Sequence, residues 1–328
     1  MNIKNNITTI AAIAAVVSLA ATGFISYALN TDKNEVKTIT SPAASITETE
    51  TETAAAAVNI PKVTGRKLET AVSSISATKD DIYHIMLNSI DYYDKVSGAV
   101  YFPSDNTCNK IEFQTILSES KAFSHHTQYN ADMSKSISVD AVDSMADTND
   151  VICDTEIYCD GESSCISIDN TEKTYASDPG YVITLDSVLD IPDDERITIE
   201  SDGNPCYNLR TNPTNVPEAS ISLFPQEMTF GFLKDNELWD IAGIEKYDGK
   251  ECYHITGKTE EEYGNKLNVS EFDFMVDVNT GVLLQYIGYD ENGNISDYMY
   301  TDGISFEESA KDVKKFSENL ITSYKCMN

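Results

Sequence analysis

The stretch SEFDFMVDVNTGVLLQYIGYDENGNISDYMYTDGISFEE, residues 270–308, constrains the fold more than any other part of the chain. Its apolar and polar residues alternate, and a period of two sends successive side chains to opposite faces of a strand. A strand over 270–278 turns at Asn279-Thr280-Gly281 into a strand over 282–290. Asp290-Glu291-Asn292-Gly293-Asn294 turns into a strand over 295–301, and Ile304-Ser305-Phe306 follows. Upstream, GIEKYDGKECYHITGKT carries a turn at Asp248-Gly249 and a strand over 251–257. Turns repeated at such short intervals build one antiparallel sheet or barrel.

The earlier sequence adds to the same pattern. GAVYF (98–102) reads as a strand, and residues 110–130 have room for two strands with a turn near 118–120. DVICDTEIYCDGESSCISID is a hairpin around Asp160-Gly161, with Glu172-Lys173-Thr174-Tyr175 as a further strand or its edge. Before these strands, Ile82, Ile85, Met86, Ile90 and Tyr93 fall at helical spacing. They predict an amphipathic helix over 80–95, capped by Asp80 or Asp81 and ended by Gly98. Six of the nine prolines lie between 179 and 225. Proline cannot join an inner strand, so this region reads as long loops and lids, with short helical turns at 186–189 and 219–224. Trp239, the only tryptophan, sits in a segment (238–244) that reads as a strand or a loop edge packed on the core. A short helix over 309–323 closes the chain. The expected fold is α+β, a curved antiparallel sheet (an incomplete β-barrel) wrapped on a few helices and occupying residues 79–328.

The order of these motifs is itself informative. A helix precedes SGAVYF, then come IYCDGESSCISIDNTEKTY, a Pro-rich middle, YDGKECYHITG and FDFMVDVNTGVLLQYIGYDENGNISDYMYTDGISF. This order resembles the lipoprotein-carrier superfamily that includes LolA, the LppX-type glycolipid binders and the sensor RseB. The resemblance implies an incomplete barrel of about ten antiparallel strands on helices. Its concave side would be an apolar cavity for acyl chains or another greasy ligand, which fits a tethered binder or sensor.

The first thirty residues bear on location. Lys4 stands near the start, and residues 7–29 carry no charge. A secretory signal and a spanning helix both fit this segment, as a signal peptide or a signal anchor. Either exports the remainder, with Lys4 inside. Residues 31–78 are rich in Thr, Glu, Ala and Ser and poor in large apolar residues. Such a segment buries too little surface to offset its ordering entropy and reads as a disordered tether. The chain has 54 acidic and 23 basic residues and a formal net charge of −31. This argues against nucleic acid and against electrostatic docking on an anionic membrane. The expected partners are a hydrophobic ligand or an envelope protein, with the membrane itself reached through residues 7–29 if they are uncleaved.

No motif for enzymatic chemistry stands out, and no cofactor or metal is expected. The seven cysteines lack the close spacing of zinc ligands. Cys159 and Cys165 flank the Asp160-Gly161 turn, where a disulfide is geometrically allowed; buried reduced thiols are the alternative. Cys252 and His254 would share a strand face, as a structural pair or a dyad. Residues 290–294 resemble a calcium loop but lack its spacing and closing Glu. The aromatic residues Tyr101, Phe113, Phe272, Phe274, Tyr286, Tyr298 and Tyr300 are the candidates for a ligand cavity, or else ordinary core.

Overall fold

The computed structural model describes residues 77–104, 107–130, 151–162, 164–179, 182–201 and 203–327. The expectations for the first thirty residues and for nearly all of the tether lie outside the described residues.

Helix α1 (Lys79–Leu87) opens the domain. Its cap is Thr78, two residues before the first of the aspartates expected there. The Thr78 hydroxyl accepts the Asp81 N–H at 3.1 Å, and the Asp81 carboxylate accepts the Thr78 N–H at 2.8 Å. The helix also ends earlier than its apolar spacing predicts. A 3-10 turn, Ser89–Asp91, replaces its last turns, and strand β1 (Lys95–Ser104) already includes Gly98. The amide of Asn88 donates to the His84 carbonyl at 3.0 Å and to Asp193 at 3.1 Å, which stops the helix where the loop layer meets it. Ile82, Ile85, Met86, Ile90 and Tyr93 are all buried, as the spacing requires.

The first meander runs β1, β2 (Thr107–Ile116), β3 (Lys121–Asn130), β4 (Val151–Asp160), β5 (Ser164–Asp169) and β6 (Thr174–Pro179). The second runs β9 (Trp239–Tyr247), β10 (Lys250–Lys258), β11 (Glu271–Asp277), β12 (Leu283–Tyr289) and β13 (Ile295–Phe306). The two halves join where β1 pairs antiparallel with β13, for example Tyr101 opposite Tyr300. The result is one twelve-stranded sheet with β9 at one edge and a two-residue strand, β14 (Lys325–Cys326), at the other. It is a curved, open sheet rather than a closed barrel, and it exceeds the ten strands implied by the resemblance.

The Pro-rich region is more ordered than long loops. It contains a 3-10 turn (Leu185–Ser187) and α2 (Ser220–Leu223) close to the two expected helical turns, and also the small hairpin β7 (Ile197–Ile199) and β8 (Pro205–Tyr207); α3 (Gln226–Phe232) follows it, and a further helix, α4 (Glu261–Leu267), bridges β10 and β11. With α1, the helices α2, α3 and α4 contribute to the main core on one face of the sheet. Among the described residues no helix is long and apolar enough to cross a membrane.

The chain end departs from expectation. Residues 309–323 form no α-helix; two 3-10 turns, Glu307–Ser309 and Glu318–Ile321, flank an extended strap. Side chains of the sheet take the backbone donors that a helix would have used internally. The Lys311 N–H donates to the Ser97 hydroxyl at 2.9 Å and the Lys314 N–H to the Gln114 carbonyl oxygen at 2.7 Å. Val313, Phe316, Ile321 and Tyr324 then cover Phe123, Tyr158 and Ile168 on the sheet's outer face.

Candidate functional site

Strand alternation divides the seven aromatic candidates between the two faces of the sheet. Phe272 and Phe274 alternate along β11, Phe274 lies opposite Tyr286, and Tyr286 lies opposite Met299. All four belong to the enclosed core. Phe113, opposite Gly98 in the first meander, shares that core. Tyr298 and Tyr300 flank Met299 in the sequence and therefore point the other way. They join Tyr101, Ala99 and Cys108 in a separate outer cluster, with the Tyr101 and Tyr300 rings stacked at 4.7 Å. One cavity lined by all seven residues does not exist; Tyr101, Tyr298 and Tyr300 are excluded from the enclosed face by register.

The core set forms a continuous aromatic bed whose centre comes from a helix. Phe232 of α3 lies 4.9 Å from Phe272, 5.3 Å from Phe274 and 5.3 Å from Tyr286, centroid to centroid. Tyr263 of α4 meets the Phe232 ring edge-on at 5.2 Å. Sequence reasoning missed both residues. The signal present was Met228 and Phe232 at an i, i+4 interval just after Pro225. Trp239 borders the bed, since its Cβ and the Phe272 ring tip both close on Gly257. Its indole N–H donates to the Leu233 carbonyl at 3.0 Å.

One end of the bed is polar and acidic. Asp297, opposite Gly288 on β12, is buried beside Tyr286. Desolvation pushes its carboxyl up to about 7, against the hydrogen bonds that it receives. The Tyr298 N–H supplies one of these at 2.9 Å. The Tyr286 hydroxyl is buried against the Asp297 carboxylate as a further donor to it, and the Tyr263 hydroxyl is buried without a hydrogen-bond partner. Each hydroxyl rests on a glycine. A Cβ at Gly231 would stand 2.3 Å from the Tyr263 hydroxyl, and one at Gly288 would stand 2.6 Å from that of Tyr286. Only glycine admits these approaches. Burial also raises the pKa of Glu227, and the negative charges of Glu227 and Asp297 oppose ionisation of Tyr263.

The cover over the bed is fastened by polar groups. Arg210 grips Asp91 with two bonds of 2.8 and 3.0 Å and also donates to Asn88 at 2.9 Å and to the Leu189 carbonyl at 3.1 Å. Gln226 ties α3 to the same clasp, accepting the Arg210 N–H at 2.8 Å and donating to the Arg210 carbonyl at 3.0 Å. Arg196, fully buried, bonds Gln226 as well, and its guanidinium lies 5.8 Å from the Phe230 ring. The His84 ring nitrogen and Asp193 meet at 2.5 Å on the rim.

The remaining candidates resolve simply. Cys159 and Cys165 face each other across β4 and β5 and form a disulfide, Cα atoms 4.2 Å apart. Cys252 and His254 do not pair: His254 meets Glu245 at 2.8 Å, while the Cys252 thiol donates to the Lys250 carbonyl at 3.6 Å and burial pushes it up to about 12. The Asp290 carboxylate accepts the N–H groups of Asn292 and Asn294, each at 2.8 Å, so residues 290–294 form a self-satisfied hairpin turn.

No family model and no curated protein matches this sequence. Solved structures to which it is similar include an uncharacterised conserved protein from Thermus thermophilus, at 5% identity and TM-score 0.32, covering 76% of this chain and 97% of that one. MucB of Pseudomonas aeruginosa in complex with MucA matches at 10% identity and TM-score 0.33, with 75% of this chain spanning 61% of MucB. A LolA superfamily protein from Nitrosomonas europaea matches at 7% identity and TM-score 0.22, over 75% of this chain and 98% of that one. The chain is thus similar to LolA-superfamily and MucB structures.

Proposed function

We propose that this is an extracytoplasmic, non-enzymatic binding domain that holds the apolar part of a ligand between the sheet and its cover. Residues 79–328 are the binding domain, residues 31–78 the tether, and residues 1–30 the export signal or membrane anchor. The observation that supports this reading is the pairing of a wholly aromatic bed with a polar fastening. A buried ion pair gains little net energy, because burial costs nearly what the attraction returns. When the cover lifts, water can therefore replace the Arg210–Asp91 contact at small cost, while the bed gains apolar surface to offer a ligand.

A second reading, a surface interaction protein with a filled core, draws on the burial of the same rings: Phe272, Phe274 and Tyr286 are each at most 1% exposed. Native mass spectrometry of the full chain, before and after organic extraction, separates the two. The binding reading expects co-purified lipid or another greasy mass that delipidation removes, and uptake of a hydrophobic dye afterwards. A bare mass and no dye uptake would establish the filled-core reading.

A further inference from the structure

The clearest unassigned chemistry lies at the acidic end of the aromatic bed. Asp297 is enclosed, and among the described residues no lysine, arginine or histidine forms an ion pair with it. The groups that face it and its neighbours are acids or phenols: Tyr286, Tyr263, Glu227 and Tyr207. The adjacent cation, Lys234, is already engaged, with Glu260 at 2.8 Å and with the Tyr207 hydroxyl at 3.3 Å. The Tyr263 hydroxyl has no partner although it is buried, and the buried Tyr286 hydroxyl is engaged with the Asp297 carboxylate. An unmet buried hydroxyl costs roughly 1–3 kcal/mol, so the Tyr263 hydroxyl beside a buried Tyr286–Asp297 pair forms a place where a polar group would be stabilised.

We infer that Asp297, Tyr286 and Tyr263 form a head-group site for a primary ammonium amphiphile whose chain lies on the Phe232–Phe272–Phe274 bed. The inference rests on the bed being a ligand site, as proposed above. Three donors of an ammonium match three oxygens: the free acceptor capacity of Asp297 and one from each tyrosine. An anionic head would meet only acids and phenols here. A neutral alcohol would satisfy part of the set without compensating the buried charge. The site therefore selects ammonium over hydroxyl, and hydroxyl over carboxylate.

Trp239 provides the readout, because its Cβ and the Phe272 ring converge on Gly257 at the border of the bed. The full chain is titrated with decylammonium, decanol and decanoate below their micellar concentrations at about pH 8, where Asp297 is ionised. Affinity is read from Trp239 fluorescence and from calorimetry. The expected order is decylammonium, decanol, decanoate, with at least about a ten-fold gap between the first two. Asp297→Asn, which keeps the shape, brings decylammonium to the level of decanol and leaves decanol unchanged. Tyr263→Phe weakens decylammonium by roughly five-fold. The net charge of −31 attracts any cation, so the titrations are repeated at high salt. A preference that vanishes with salt, or that survives Asp297→Asn, overturns the site and leaves the bed reading intact. Equal binding of ammonium and alcohol does the same. Failure of all three probes to bind overturns the bed reading and this site together.

Discussion

At the scale of single residues, burial and pairing set the response to pH. Asp297 holds its proton up to about 7 because it is enclosed. An unfolded aspartate releases its proton near about 4. Between those values the folded chain binds more protons than the unfolded one. This contribution to stability is therefore full below about 4, falls as pH rises, and levels off above about 7. Glu218, also pushed to about 7 by desolvation, adds a slope of the same sign. Asp297→Asn is expected to remove its share and to stabilise the fold at about pH 8 by on the order of 1–3 kcal/mol. Urea midpoints at about pH 5 and about pH 8 check this: the wild type should lose stability across the interval, and the variant distinctly less. Arg210 is expected to behave oppositely. Arg210→Met strands Asp91 in the interior and should cost about 3–5 kcal/mol, while adding Asp91→Leu should recover most of the loss. A double-mutant cycle showing simple additivity would contradict the clasp. None of this was legible in the sequence, where acidic residues are too numerous for any one to stand out.

At the scale of elements, the strands were the most legible part. The turns at Asp160-Gly161, Asp248-Gly249 and Asn279-Thr280-Gly281 lie where the alternation breaks, because turn chemistry is local. The helices were less so. The spacing of Ile82, Ile85, Met86, Ile90 and Tyr93 identifies the buried face, but the helix stops at Leu87 because Asn88 is drawn to Asp193, about a hundred residues away. The chain end, expected as a short helix over 309–323, is instead an extended strap whose donors reach Ser97 and Gln114. Lys314 fastens this strap, meeting Glu156 at 2.8 Å and lying 4.5 Å from the Phe123 ring centre. Truncation after Ala310 is expected to bare Phe123, Tyr158 and Ile168, giving hydrophobic-dye binding and self-association in light scattering. A monomeric, dye-silent truncation would mean that the strap covers nothing of consequence. The Cys159–Cys165 disulfide closes a separation of six residues, so the chain-entropy account assigns it about 2 kcal/mol. Denaturant midpoints with and without reductant measure that contribution directly.

At the scale of the whole molecule, the two meanders share a single ladder, β1 against β13, and one enclosed core. They should unfold together. Trp239 fluorescence, which reports the second half, and hydrogen exchange of β2–β4 in the first are expected to give one coincident transition. Two separated transitions would make the halves independent. The charge of −31 makes self-repulsion a global term, so moderate salt should raise the melting temperature. By itself the sequence determined the acidic character, the strand alternation, the positions of the main turns and the buried face of the first helix. These follow from local periodicity and turn preferences, which act within a few residues. Only the tertiary structure decided that Tyr101, Tyr298 and Tyr300 face away from Phe272, Phe274 and Tyr286. The same is true of the placing of Phe232 and Tyr263 over the bed, and of the joining of Arg210 to Asp91. Register across a sheet and contact between distant helices depend on which long-range pairing buries the most surface, and no local pattern encodes that choice.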